Sequence, residues 1–425
     1  MMELKNKPER GQAIVLLVFA IVALLGFTAL AVDGSMIYSD RRHAQNAADA
    51  SSLAGGGVAG LSMENDHLFY QDFVCSHSSV TSAESTAITA ATSRAGNNGY
   101  STGVTITADC EDGSGSTSIF PDKYIEVTTE ISLTTQTSFV HFVYDGPVNQ
   151  EVAAVTRVRP RQPLAFGNAI VALNPGLNCG NSTLEGIKLS GGGETTIDGG
   201  GMWSNGCLKG TNNSCEVLIV DGSIQYAGGR FPASGDLCES MVPAATAASE
   251  LLPEDSYIVP KPDCSHPNAV TVSTIDKNTT LTPNTLYCVT SSGNAIKIPN
   301  GTLTGHGVTI YLVNGGDVEI SGGVINLSAP ATIPDPWPAI PGILIYVNPT
   351  RDSIVKINGN SDSSYLGTIY APRADVEVNG GSGIGSTFNT QIIGWNVEVS
   401  GNANININFN ENWNYSRPSW LNLEE

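Results

Sequence analysis

Lys356-Ile357-Asn358-Gly359-Asn360, Glu377-Val378-Asn379-Gly380-Gly381 and Glu398-Val399-Ser400-Gly401-Asn402 follow one another at intervals of 21 residues. Each copy is a charged residue, a branched apolar residue, Ser or Asn, Gly, then Gly or Asn. Lys188-Leu189-Ser190-Gly191-Gly192 and Glu319-Ile320-Ser321-Gly322-Gly323 are earlier copies. A fixed period near 20 residues is what one coil of a parallel β-helix requires. The branched residue would face inward and stack on the coils above and below, while the charged residue faces out. Gly and Asn suit the corners, where φ turns positive. Ile405, Ile407 and Phe409 alternate with Asn and would close the last coil, with Trp413 and Trp420 as caps or exposed contacts. Turn-bounded strands also suit a β-sandwich, which is the alternative; the constant interval favours the β-helix. Residues 165–425 are therefore read as a Gly- and Asn-rich, right-handed parallel β-helix. Pro330 to Pro341, with five prolines around Trp337, reads as a loop leaving a coil, because proline cannot donate to a ladder.

Upstream, residues 60–160 read as a small mixed α/β head. Ser82 to Ala95 is Ala-, Ser- and Thr-rich and suits a helix. Gly103 to Thr107, Tyr124 to Thr128, Ile131 to Leu133 and Val148 to Val158 alternate at period two, the strand signal. Phe139 to Tyr144 reads as a short apolar turn or helix.

Further upstream, Ala13 to Val32 contains no charge. Twenty helical residues at about 1.5 Å each span roughly 30 Å, the thickness of a bilayer's hydrocarbon core. Lys5, Lys7 and Arg10 precede it, so residues 1–12 read as a cytoplasmic leader. A cleaved secretory signal is the rival reading, but its apolar core would be shorter. Good helix formers continue beyond Asp33 and end at Gly55-Gly56-Gly57, a terminator, so residues 13–55 read as one transmembrane and extended helix. Ile37, Ala44, Ala47, Ala48 and Ala54 share a face of small or apolar residues that would permit close helix–helix packing.

Arg10-Gly11-Gln12-Ala13, the apolar span, Ala31-Val32-Asp33-Gly34, Tyr38, Arg41-Arg42 and the run from Gln45 to Gly55 resemble the N-terminal segment of TadG-like Flp (tight-adherence) pilus-assembly proteins. The resemblance covers about the first 55 residues. It implies a bacterial cell-envelope protein with a cytoplasmic N-terminus, tied to a pilus or to surface attachment. Its partners would be the membrane and other Tad-system proteins, or a second copy through the N-terminal helix. The acid that related pilins carry just after a processing site has no counterpart between Gly11 and Val32. More loosely, Gly367-Thr368-Ile369-Tyr370-Ala371-Pro372 before a Gly-rich strand resembles β-helical C-terminal regions of bacterial surface proteins.

The 425 residues carry 20 Lys+Arg against 40 Asp+Glu, a formal charge of −20, with only 14% charged residues. A nucleic-acid partner needs a basic footprint, and this composition argues against one. Acidity is spread along the chain, with 9 cations and 17 acids up to residue 160 and 11 and 23 beyond it.

Eight cysteines lack CxxC spacing and nearby zinc-ligand histidines. Outside the cytoplasm they would form disulfides. Sequential pairing is the simplest of about a hundred schemes: Cys75–Cys110, Cys179–Cys207, Cys215–Cys238 and Cys264–Cys288.

Glycosidases need two carboxylates facing a cleft. Asp198, Asp221 and Gly305-His306-Gly307 read better as turns. No nucleophile elbow, Walker A loop or zincin helix occurs. The expectation is a structural protein with no catalytic residues, cofactor or metal. A glycan-binding surface adhesin is the second reading, with Trp203, Trp337 and Trp395 as candidate contacts; a membrane-tethered polysaccharide lyase or hydrolase is the least favoured.

Overall fold

A computed structural model describes residues 12–140, 147–180, 184–211, 215–331, 338–359, 362–380 and 386–424. The described residues open with one helix, α1 (Gln12–Asn65), of 54 residues. It does not stop at Gly55-Gly56-Gly57 as the sequence suggests. A β-carbon on Gly55 would lie 2.9 Å from Val127 Cγ1 and 3.0 Å from the Ala87 carbonyl oxygen, and one on Gly56 would lie 2.6 Å from Thr156 Cγ2. These glycines serve close packing within the helix rather than a left-handed cap. Tertiary contact outweighs their weak helix propensity, about 1 kcal/mol each relative to Ala.

The second helix, α2 (Ser78–Asn97), buries Ala83, Ala87, Ala91 and Ala95, a stripe at intervals of four that lets it lie close to α1. Both helices cover a sheet of β1 (Val104–Glu111), β2 (Tyr124–Thr135) and β3 (Val148–Arg159), paired antiparallel in that order. Met63, Phe73, Ile125, Val127 and Val158 are fully or almost fully buried between the layers. Of the segment Phe139–Tyr144, only Phe139 and Val140 lie within the described residues.

A fourth strand completes this sheet from the far end of the chain. Trp420–Glu424 runs antiparallel to β3, with Trp420 opposite Arg159. Trp420 is thus not a cap of the last coil. The guanidinium of Arg159, on β3, lies 5.8 Å from its ring and helps hold the strand to the head, and that of Arg417 lies 4.8 Å away.

From Asn168 to Asn408 every ladder among the described residues is parallel. Neighbours joined by hairpins would pair antiparallel. The 21-residue interval is one return of the chain: Ile357 pairs with Val378, and Val378 with Val399. Columns of side chains result. Ile296, Val318, Val355, Val376, Val397, Ile187 and Leu208 form one buried column. The charged residues of the motif form another: Asp276, Lys297, Glu319, Lys356, Glu377, Glu398, Lys188 and Lys209. Within it Lys297–Glu319, Lys356–Glu377 and Lys188–Glu398 are ion pairs at 3.0, 2.8 and 2.6 Å. Such partly exposed pairs each stabilise by only about 0–1 kcal/mol, but a one-residue slip would break all of them together.

Spatial order departs from chain order. The nine-stranded sheet runs Ser240–Val242, Glu216–Val220, Glu194–Asp198, Ile405–Asn408, Ser386–Asn389, Ser364–Leu366, Val324–Ser328, Thr302–Gly305, Thr279–Thr280. The last pass stacks on the first, so the chain enters in the middle of the pile. It builds outward to residue 247, then returns past the pile to start again at the opposite edge.

The returning segment, residues 248–269, is tied along its length. The Leu252 amide donates to Asn205 Oδ1 at 2.8 Å, Val259 O accepts from the Tyr346 hydroxyl at 3.4 Å, and Cys264 is bonded to Cys288. It covers an outward-facing column of Cys288, Tyr311, Tyr346, Tyr370, Ile393, Val171 and Trp203. This explains why Ile343–Val347 is buried at every position: Ile343 and Tyr346 lie under the cover, Leu344, Ile345 and Val347 lie in the inner core, and the ladder shifts register between Ile343 and Ile345.

All four disulfides join consecutive cysteines, with Cα–Cα distances of 5.5, 5.4, 4.7 and 6.0 Å along the chain. Cys75–Cys110 lies in the head. Cys215–Cys238 lies beside the paired strands Glu216–Val220 and Ser240–Val242, whereas Cys264–Cys288 pins the returning segment.

Candidate functional sites: the apolar span, its junction and an aromatic groove

Residues 14 to 32 of α1 present their apolar side chains outward on every side. Ile14, Val15, Leu16, Leu17, Val18, Phe19, Ile21, Val22, Leu24, Leu25, Phe27, Leu30 and Val32 are all exposed, Phe27 to 71%. Burying a large apolar side chain stabilises by about 1.5–3 kcal/mol, so leaving this set in water costs tens of kcal/mol. A bilayer removes that cost. The Thr28 hydroxyl donates to the Leu24 carbonyl at 2.8 Å, and so is satisfied within the helix itself.

Asp33 ends the span and is buried. Its carboxylate accepts the backbone amides of Ser138 at 2.7 Å, Phe139 at 2.9 Å and Val140 at 2.6 Å. Charge-assisted bonds of this kind are the strong ones. They fasten the segment after β2 to the point where the helix leaves its apolar stretch. Asp33 stands in the quoted Ala31-Val32-Asp33-Gly34 run; its partners lie about a hundred residues away and had no local signal.

Beyond Arg41 and Arg42 the helix turns one side to its own sheet. Ala44, Ala47 and Ala48 are buried against Ile131, Val152 and Ala154, while Ile37 and Ala54 are half-buried. The small-residue face expected to meet another helix is thus largely occupied by the head, because small side chains let a helix sit close on a sheet.

At the other end of α1, Glu64 receives Arg161 Nη1 at 3.3 Å and the Ser419 amide at 2.6 Å. The helix, the segment entering the parallel region and the segment leaving it meet at one carboxylate. Nearby, burial, then the charge of Asp72, pushes the Glu411 carboxyl up to about 7, with Arg161 opposing. The folded chain therefore keeps a proton that the unfolded chain releases near 4.5. This contribution is complete below about pH 4.5 and is lost as pH rises towards about 7. Glu411→Gln is expected to flatten the decline in melting temperature between about pH 5 and 8; an unchanged slope would refute the assignment.

The three Trp candidates part company. Trp203 is fully buried, its Nε1 donating to Asn205 Oδ1 at 2.8 Å and its ring 5.0 Å from Phe120. It is not a surface contact, because the returning segment and the head close over it. Trp337 lies outside the described residues. Trp395 is half-buried and lines a groove of about 330 Å³ with Tyr257, Tyr346, Tyr370, Arg373 and Glu254. Tyr257 and Glu254 come from the returning segment, whose path no local pattern signalled. Asp198 ends a strand and is exposed, Asp221 takes a positive φ of 58°, and His306 is exposed beside Gly307 at φ 66°. All three occupy strand ends or turns.

A long helix with one exposed apolar stretch, followed by a mostly β region with parallel sheets, fits a single-pass membrane anchor carrying an extramembrane body. Residues 11–59 match the family described as Putative Flp pilus-assembly TadE/G-like. No curated protein and no solved structure matches the chain. A TadE/G-like domain suggests a Tad pilus-associated protein of the envelope, with a structural rather than enzymatic role.

Proposed function

We propose that this protein is an envelope-anchored structural component of a Tad/Flp-type pilus or surface-attachment system, serving assembly or as a minor or filament-forming subunit. In this reading the N-terminus is cytoplasmic, and residues 168–408 are a right-handed parallel β-helix held outside the cytoplasm on the small α/β head. One observation carries it: the helix that exposes residues 14–32 is the same helix whose residues 44–63 form the head's core. An unbroken helix transmits the head's orientation directly from the bilayer. Four disulfides support an oxidising location for the body.

The test is fractionation of cells making the full chain, with protease added from outside and surface fibres sheared and analysed. The expected protein is membrane-bound, accessible from outside, oxidised at all four pairs, and recovered with the fibre fraction. A soluble or externally protected body with reduced cysteines would refute the reading. A glycan-binding surface adhesin is the second reading, favoured by the aromatic groove.

A further inference from the structure

The returning segment roofs the outward tyrosine column without covering its full width. What it leaves open is the groove at Trp395. Tyr346 and Tyr370 are buried, and their rings, 5.0 Å apart, make its floor. Tyr257 and the exposed Ile258 stand on the returning segment; Pro372 and Trp395 stand on the pile. Glu254 and Arg373 are exposed at the rim. The Arg373 guanidinium lies 5.2 Å over the Trp395 ring and holds the indole in place.

We propose that this groove binds a neutral pyranose ring of a glycan chain. A pyranose has an apolar C–H face and a girdle of hydroxyls. The aromatic and proline surfaces suit the first. Glu254 as acceptor, and Arg373 and the Tyr257 hydroxyl as donors, suit the second. The volume of about 330 Å³ is at the small end of ligand sites, on the scale of one or two sugar rings.

Charge selects a neutral sugar over an acidic one. Arg373 is the one cation among the described lining residues, and it is already paired with Asp352 at 3.1 Å. Glu254 and the chain's net charge of −20 would repel a uronic acid. The wall is also fixed before any ligand arrives, by the Leu252–Asn205 bond, the Tyr346–Val259 bond and the Cys264–Cys288 bridge. Little ordering cost is left for binding. The inference rests on the proposed function only for where a glycan would be met, not for the binding itself.

The test uses the purified full-length chain in detergent micelles on a printed panel of cellotetraose, tetra-N-acetylchitotetraose and trigalacturonic acid. Retention on at least one neutral oligosaccharide, with none on trigalacturonic acid, is expected. Ile258→Glu should weaken retention at least about tenfold, equivalent to 1.4 kcal/mol, without changing the melting temperature, and Tyr257→Phe, which keeps the packed ring and removes the donor hydroxyl, should weaken it by a smaller factor. Ile258 is 56% exposed, so its replacement blocks the groove without disturbing the core. A folded wild-type chain that retains no neutral glycan, equal retention by the variants, or a preference for trigalacturonic acid would each overturn the proposal. Binding by purified protein does not depend on where the cell places the domain. A blank panel therefore leaves membrane anchoring standing, and a failed accessibility test leaves glycan binding standing.

Discussion

Gly55→Val is expected to destabilise the head by about 3 kcal/mol, whereas Gly57→Ala, two residues away, should stabilise it by about 0.5–1 kcal/mol. The opposite signs follow from the surroundings. A β-carbon at position 55 meets the Ala87 carbonyl at 3.0 Å and Ala91 Cβ at 3.2 Å, both on α2, and Val127 on β2. None of these is the free end of a flexible side chain. The two helices would have to separate, opening the layer that holds Met63, Ile125 and Val127. At Gly57 nothing lies within 4 Å, so a methyl group only removes freedom from the unfolded chain. For a small head with a few kcal/mol in reserve, the first change approaches global unfolding. Thermal unfolding in detergent, with hydrogen exchange of α2 and β2 amides as local readout, measures both. If Gly55→Val left those amides as protected as in the wild type, the helix would not pass the triplet packed as described.

Replacing Leu17 and Leu24 together by Arg is expected to detach the protein from membranes while leaving its body folded. Each arginine near the centre of a span costs about 2.5–3.5 kcal/mol on insertion scales, so the pair removes about 6 kcal/mol of anchoring. Among the described residues, nothing buries the apolar window of the span. The head disulfide and the melting temperature of the body should therefore be unchanged. Alkaline carbonate extraction, followed by non-reducing electrophoresis, separates the two effects. Full retention of the double variant in the membrane pellet would mean that residues 14–32 are not what holds the protein there. Loss of the Cys75–Cys110 bridge would mean that the span also contributes to the head's fold.

The parts legible beforehand share one property: their signal is periodic or contiguous. Lys356, Glu377 and Glu398 recur at one interval because each return of the chain must present the same face, and the ladders place them in one column. Cys75 and Cys110 pair within one small head and Cys215 and Cys238 beside neighbouring strands, whereas Cys264 reaches Cys288 from the returning segment. The candidate contacts were harder. Trp203 and Trp395 look alike in sequence, each close to Gly and Asn. Trp203 is closed over by residues that arrive about 50 positions later, and Trp395 is left at the edge of that cover. Asp33 likewise gains its meaning from amides at 138–140.

The sequence by itself determined the apolar span, the alternation of the head strands and the 21-residue return; for the cysteines it offered sequential pairing only as the simplest scheme. Each depends on spacing within a short stretch, where the geometry of a helix or strand acts directly on side-chain order. Only the tertiary structure decided that α1 runs through three glycines, that the last pass stacks on the first, and that residues 248–269 roof the tyrosine column. It also decided that Trp420 closes the head rather than the pile. Those outcomes are set by burial between segments far apart in the chain, and a contact between distant residues leaves no periodicity in either partner.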